Sequence, residues 1–267
     1  MYKYLFSRLV RRPGFYFAIL LGSLITLAQV PEILNIGNRL QTSLYTHWIE
    51  SFTGSPLPQI YWMVFPLLVA IPFASILRSD QKNNYFYLIQ VQGHSKKYMN
   101  RAFIMNFLVG GTVGTIPLML NFYILATILP AIKPNLVLDG DGNITINKMS
   151  LTIFPDLYYS HPLIHVFLFL FIAFLVGGLL AALAFSIGMW TRSVFVTVSS
   201  SFILIYMARF FIPLSDDIWG SSVIPTTYAN QTGMIHGISF PLIVFSYAIF
   251  MTLTLLIFMR GRRRYAI

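Results

Sequence analysis

The chain of 267 residues is 57% hydrophobic and only 10% charged, with a mean hydropathy of +0.71 and a formal net charge of +10. Soluble domains carry about 25% charged residues, so this composition excludes a soluble globular fold. The chain contains no cysteine, which excludes structural disulfides, thiolate metal sites and a thiol nucleophile. The composition therefore indicates an integral membrane protein.

Six apolar runs are long enough to cross about 30 Å of hydrocarbon as helices. They cover residues 14–30, 60–77, 102–129, 163–190, 193–212 and 238–259. We expect the second span to be kinked or unwound, because Pro66 and Pro72 each remove a backbone donor. Only Thr191 and Arg192 separate the fourth and fifth spans, which predicts a tightly paired antiparallel pair. The predicted fold class is all-α, a polytopic membrane protein with one domain over residues 1–267.

Basic residues lie mostly in the segments that share a side with the N-terminus. That side holds 14 of the 18 Lys and Arg residues: Lys3, Arg8, Arg11, Arg12, Arg78, Lys82, Lys96, Lys97, Arg101, Arg192, Arg260, Arg262, Arg263 and Arg264. The acidic residues show the opposite bias, since Asp80 alone among them lies on this side. Because Lys and Arg accumulate in cytoplasmic loops, we expect both termini in the cytoplasm. The same rule explains the net charge without a nucleic-acid partner.

No sequence motif for catalysis or nucleotide binding is present. A P-loop, a His-Glu-x-x-His zinc motif and a Gly-x-Ser-x-Gly nucleophile motif are all missing, and no carboxylate or histidine pair lies at the centre of a span. The run from Asp139 to Asn143 resembles the start of a calcium loop, but Ile144 and Ser150 replace the glycine and glutamate that such a loop needs. We interpret the run as a turn between two short strands.

Three weaker features favour structural roles. His161 and His165 have helical spacing, but further metal ligands are missing, so an interfacial position is the better interpretation. Arg209 is a candidate outer gate or substrate contact, pairing with Asp216 or Asp217, with snorkelling to the headgroups as the alternative. The small residues around Gly110, Gly111 and Gly114 and around Gly177, Gly178 and Ala181 predict close helix packing, internal by default and otherwise between subunits.

Two segments on the basic side indicate contact with the membrane surface and with a soluble partner. Residues 1–12 form an amphipathic interface helix, with an apolar face and with Arg8, Arg11 and Arg12 on the remaining surface. The loop from Arg78 to Arg101 contains a short amphipathic helix, Asn83 to Val91, that Gly93 ends. Its apolar side chains project into the cytoplasm, and such a surface predicts a soluble partner.

These two helices, the six-span layout and the run Gly93-His94-Ser95-Lys96-Lys97-Tyr98 resemble the permease subunits of the ABC-2 family of bacterial ABC transporters. In that family, an interface helix precedes the first span and a coupling helix lies between the second and third spans. A Gly-Ser-Arg/Lys-Lys-Tyr-like stretch typically follows the coupling helix, and here His94 interrupts it. The family's acidic and Asn-Gly element is matched only loosely by Asp80 and Asn83-Asn84.

The resemblance implies a permease dimer, with the same or a homologous chain as second permease, bound to two copies of a cytoplasmic ABC ATPase. ATP and Mg would bind to that ATPase, so this chain is expected to hold no cofactor and no metal and to have no enzymatic activity of its own. The residues implied to couple the two subunits are Asn84, Tyr85, Tyr87, Leu88 and Ile89. Membrane-surface anchoring is assigned to Arg8, Arg11, Arg12, Lys96, Lys97 and Arg101.

The leading hypothesis is a permease that exports a peptide, lipid-like or amphipathic compound across the cytoplasmic membrane of a bacterium. The resemblance also implies a re-entrant hairpin within residues 213–237. The alternative from another class is a stand-alone immunity or sensor protein that binds a peptide through its outer loops and uses no ATP. A membrane-embedded enzyme is the third hypothesis.

Overall fold

A computed structural model describes most of the chain. The described residues are 2–35, 43–51, 55–135, 152–211, 223–230 and 239–265. Their helices are α1 (Tyr2–Val10), α2 (Pro13–Leu27), α3 (Gln29–Asn35), α4 (Leu44–His47), α5 (Leu57–Ala70), α6 (Ile76–Lys82), α7 (Tyr85–Val91), α8 (Ser95–Ile128), α9 (Pro155–Ser160), α10 (Pro162–Gly188), α11 (Val194–Phe211), α12 (Pro225–Tyr228) and α13 (Phe240–Arg264). No strand occurs in these ranges. The predicted strands around residues 139–147 lie outside them.

Four helices in the described part of the chain are long and apolar enough to cross a membrane. They are the α2–α3 unit (Pro13–Asn35), α8, α10 and α13, while α5 and α11 are apolar but shorter. The architecture is therefore that of a helical multi-pass membrane protein. It has four full-length candidate spans where the sequence predicts six, and the shorter helices α5 and α11 occupy the positions of the other two.

Prolines set two of the helix boundaries. The first predicted span continues beyond residue 30 to Asn35, with a break at Ala28. Pro31 has no amide hydrogen to donate to the carbonyl of Leu27, which accounts for the break. The predicted disruption of the second span is confirmed at one of its two prolines. Helix α5 runs through Pro66 and ends at Ala70, just before Pro72, and the chain is non-helical until Ile76.

Two large apolar cores lie along the bundle in the part of the chain that the structure describes. The basic-end core includes Leu5, Leu9, Phe73, Ile76, Phe86, Ile89, Tyr98, Met99, Phe103, Phe185, Met189 and Phe258. The distal core includes Trp48, Ile49, Tyr61, Phe65, Leu118, Val166, Phe169, Ile205, Ile224, Tyr228 and Ile243. The rings of Phe86 and Tyr265 pack edge to face with their centroids 5.7 Å apart. This contact brings the C-terminal segment to the same end as α1 and α7.

Helices α8 and α10 cross between the two cores with their backbones in close approach. A Cβ atom on Gly110 would lie 2.6 Å from the carbonyl oxygen of Gly177, and one on Gly178 would lie 2.8 Å from that of Phe107. Only small residues permit this separation. The two small-residue faces predicted from the sequence therefore pack against each other inside the chain, as the default interpretation expects.

Candidate functional site

The short helix α7 connects α6 to the long helix α8 at the basic end, and both of its boundaries have a local cause. Asn84 precedes it with φ of 57°, a left-handed conformation that asparagine tolerates better than most residues. Gly93 follows it with φ of 70°. The amide of Gly93 donates to the carbonyl of Gln90, and the amide of His94 donates to that of Ile89. This pair of bonds is a Schellman motif, and it confirms the predicted end of the helix.

The two faces of α7 have opposite environments. Phe86 and Ile89 are each only 4% exposed, because they pack into the basic-end core. Tyr87, Leu88 and Val91 are 65%, 59% and 70% exposed, and their spacing places them together on the other face. Of the residues predicted to couple, Ile89 thus lies in the core, whereas Val91, which the prediction does not include, lies on the exposed face.

A buried ion pair joins the interface helix to the segment before α7. Arg8 on α1 pairs with Asp80 on α6, and the Tyr98 hydroxyl on α8 donates to the same carboxylate. The Asp80 side chain is 0% exposed, whereas that of Arg8 is 21% exposed. Arg8 thus has a partner inside the protein that the sequence analysis does not assign to it. The available signal was that Asp80 is the lone acid among the basic segments.

Aromatic stacking adds a second contact between α1 and α7. The rings of Tyr4 and Tyr85 stack with their centroids 5.1 Å apart, and the Arg8 guanidinium lies 5.5 Å from the Tyr4 centroid and 5.8 Å from that of Tyr85. Burial, together with a hydrogen bond to Tyr4, raises the pKa of Tyr85 to about 12. Tyr85 therefore stays neutral at physiological pH and serves to hold α7 on α1.

The other residues assigned to the membrane surface fall into two groups. Arg11, Lys96 and Lys97 are exposed, as a headgroup contact requires. Arg12 and Arg101 lie instead over aromatic rings of this chain. The Arg12 guanidinium is 5.7 Å from the Phe73 centroid, and that of Arg101 is 5.0 Å from the Tyr2 centroid. Burial, followed by repulsion from Arg8, lowers the pKa of Arg12.

At the distal end, the structure describes only part of the candidate outer gate. Arg209 donates to the Thr227 hydroxyl over 3.1 Å and lies over the ring of Tyr206. Asp216 and Asp217 lie outside the described residues. Within the predicted re-entrant segment, Ile224 and Tyr228 are buried in the distal core.

A second segment at this end is buried, which the sequence pattern does not predict. Residues 48–51, in a stretch assigned to an outer loop, are all buried, and Trp48 and Ile49 join the distal core. The Trp62 indole donates to the Glu50 carboxylate over 2.8 Å. His165 is also buried and lies 3.1 Å from the Thr152 hydroxyl. No group of three or more metal-binding side chains occurs among the described residues.

Fold and site together define a helical multi-pass membrane protein that fixes a short helix with an exposed apolar face at its basic end. Comparison of the chain with protein-family models, with curated proteins and with solved structures finds no match.

Proposed function

We propose that the protein is the transmembrane permease subunit of an ABC exporter in the cytoplasmic membrane of a bacterium, with six spans and both termini in the cytoplasm. Two copies of a separate ATPase bind ATP and Mg and dock on α7. The permease pairs with a second copy or a homologue and exports a peptide, lipid-like or amphipathic compound. The ABC-2 resemblance of the sequence is the source of this assignment.

The observation that carries the proposal is the exposed apolar face of α7. Tyr87, Leu88 and Val91 together form an apolar patch on a segment rich in charged and amide side chains, which fits a protein partner better than water. The inner face of α7 is fixed by Phe86 and Ile89, and α1 braces it through Tyr4 and Arg8. A partner that moves this patch therefore also pushes on α1, α6 and α8.

Six spans are supported by the way the helices connect the two cores. Helices α10 and α13 contribute side chains to both cores. Helix α2 runs from Ala18 in the basic-end core to Leu21 and Ile25, which pack against the distal core. Helix α8 runs from Tyr98 in the basic-end core to Leu118 in the distal core. The shorter helix α5 packs in the distal core through Tyr61 and Phe65 and leads into Phe73 of the basic-end core. Counted with α11, these helices support a path that crosses the membrane six times, and an even number of crossings would leave both termini on the same side.

The test is co-purification of the tagged chain from its native host in mild detergent or nanodiscs, with mass spectrometry of the recovered proteins. The proposal predicts an ATPase with Walker motifs. Replacing Tyr87 and Leu88 together by Asp should lower its recovery on the order of tenfold or more, because two central apolar contacts are lost. Asn83→Asp is the matched control, since it adds a charge to the exposed turn before α7 and should keep the ATPase bound.

Recovery of this chain without any ATPase in several detergents would overturn the proposal and favour the stand-alone immunity or sensor protein. Recovery of an ATPase that binds the Tyr87→Asp/Leu88→Asp variant as well as the unaltered chain would remove α7 as the docking site.

A further inference from the structure

The C-terminal parts of α10 and α13 form a groove of about 450 Å³ on the surface of the bundle. It is lined by Ile187, Trp190, Leu253, Leu256, Ile257 and Arg260. From Leu253 to Arg260 the groove follows α13 for about 10 Å, given a rise of 1.5 Å per residue. Its lining is aliphatic along most of this length and becomes aromatic and cationic at the end nearest the C-terminus.

The end of the groove nearest the C-terminus is bounded by a close helix contact. A Cβ atom on Gly261 would lie 2.7 Å from the sulfur of Met189, so α13 approaches the end of α10 closely at this position. The Arg264 guanidinium lies 4.8 Å from the Trp190 ring centroid. Two guanidinium groups, those of Arg260 and Arg264, therefore frame the indole at the mouth of the groove.

We propose that this groove binds an anionic phospholipid, with the upper part of an acyl chain along Leu253 and Leu256 and the phosphate at Arg260 and Arg264. Helix α13 is a candidate span of which only 22% of the most apolar window is buried, so its outer face meets lipid. Tryptophan is enriched at the headgroup level, and arginine near a membrane surface attracts anionic lipids. The proposal rests on membrane insertion and not on transport activity.

Charge argues against a second copy of the chain as the occupant. A symmetric contact on this groove would bring the same surface of both copies together, and with it Arg260 and Arg264 of each. Like charges at short distance destabilise such a contact, whereas a phosphate is complementary to the same arginines. No acidic side chain lines the groove among the described residues.

The experiment is native mass spectrometry of the full chain in neutral detergent, titrated with phosphatidylglycerol or with phosphatidylcholine of the same acyl chains. We expect the first phosphatidylglycerol to bind several-fold more tightly than phosphatidylcholine. Arg260→Gln should weaken that first site about fivefold, the effect of losing about 1 kcal/mol from one basic group at the surface. Arg263→Gln removes the same charge from an exposed position outside the groove and should have little effect.

A second variant tests the apolar part. Leu256→Trp fills the groove, so it should weaken the first site for both lipids while the thermal unfolding midpoint stays unchanged. Equal effects of Arg260→Gln and Arg263→Gln would overturn the proposal in favour of diffuse electrostatic attraction. A dimer that Leu256→Trp dissociates would identify a second copy as the occupant and overturn it as well.

Discussion

The basic-end core and the distal core differ in the polar contacts that hold a short segment against them. The segment is α1 at the basic end and residues 48–51 at the distal end. At the basic end, one ion pair between Arg8 and Asp80 joins α1 to α6, and Tyr98 of α8 donates to the same carboxylate. At the distal end, several hydrogen bonds fix residues 48–51. The Asn121 side chain accepts from the amide of Ile49 and donates to the carbonyl of Thr26, and the Trp48 indole donates to the carbonyl of Leu118.

This difference shows where each end is vulnerable. In the described part of the chain, the polar contacts among α1, α6 and α8 at the basic end converge on one buried carboxylate and its ion-pair partner Arg8. The distal end spreads its polar contacts over many side chain to backbone bonds, each worth about 1 kcal/mol. A single substitution should therefore have its largest effect at the basic end, and a smaller one at the distal end.

Arg8→Met should give the largest loss of stability. It leaves the fully buried Asp80 carboxylate without its cation, and breaking a buried pair in this way costs about 3–5 kcal/mol. The opposite change, Asp80→Asn, should cost less, because the partly exposed Arg8 can turn toward water or headgroups. Thermal unfolding in detergent, followed by intrinsic fluorescence, measures both.

The double variant Arg8→Met/Asp80→Leu provides the control. Replacing both charges by apolar groups removes the uncompensated carboxylate, so most of the loss should be recovered. A deficit of about 1–3 kcal/mol should remain, because the buried Tyr98 hydroxyl loses its acceptor. If Arg8→Met is no less stable than Asp80→Asn, or if the double variant is as unstable as Arg8→Met, the ion pair does not dominate this end.

At the distal end, Asn121→Ala should cost about 1–3 kcal/mol, since it leaves the buried amide of Ile49 without its acceptor. Thr112→Ala on the same helix is the matched control, because Thr112 is exposed and should change stability by less than about 0.5 kcal/mol. Limited proteolysis of the segment before α5 reports whether residues 43–51 are released. A loss as large as that of Arg8→Met would remove the contrast between the two ends.

The sequence predicts the helices better than the contacts between them. Apolar length predicts α8, α10 and α13 within a few residues, except that α8 starts and α13 ends beyond the apolar runs, and Gly93 marks the end of α7 because a positive φ requires such a residue. Periodicity does not reveal that Ile89 faces the core while its neighbour Leu88 is exposed, since both are apolar. The burial of residues 48–51 and the pairing of Arg8 with Asp80 depend on tertiary contacts between distant segments, which no local pattern encodes.

The smallest expected effect concerns pH at the distal end. Burial lowers the pKa of His47 below its ordinary value of 6.5, although its hydrogen bond with the Ser43 carbonyl opposes this shift. The unfolded chain therefore binds the proton more readily, so this contribution to stability is present above pH 6.5 and is lost as the pH falls. Thermal unfolding from pH 7.5 to 5.5 should show the unaltered chain losing stability relative to His47→Gln, which remains neutral throughout. Parallel curves for the two proteins would mean that protonation of His47 does not weaken the distal end, and that acid acts on the fold elsewhere.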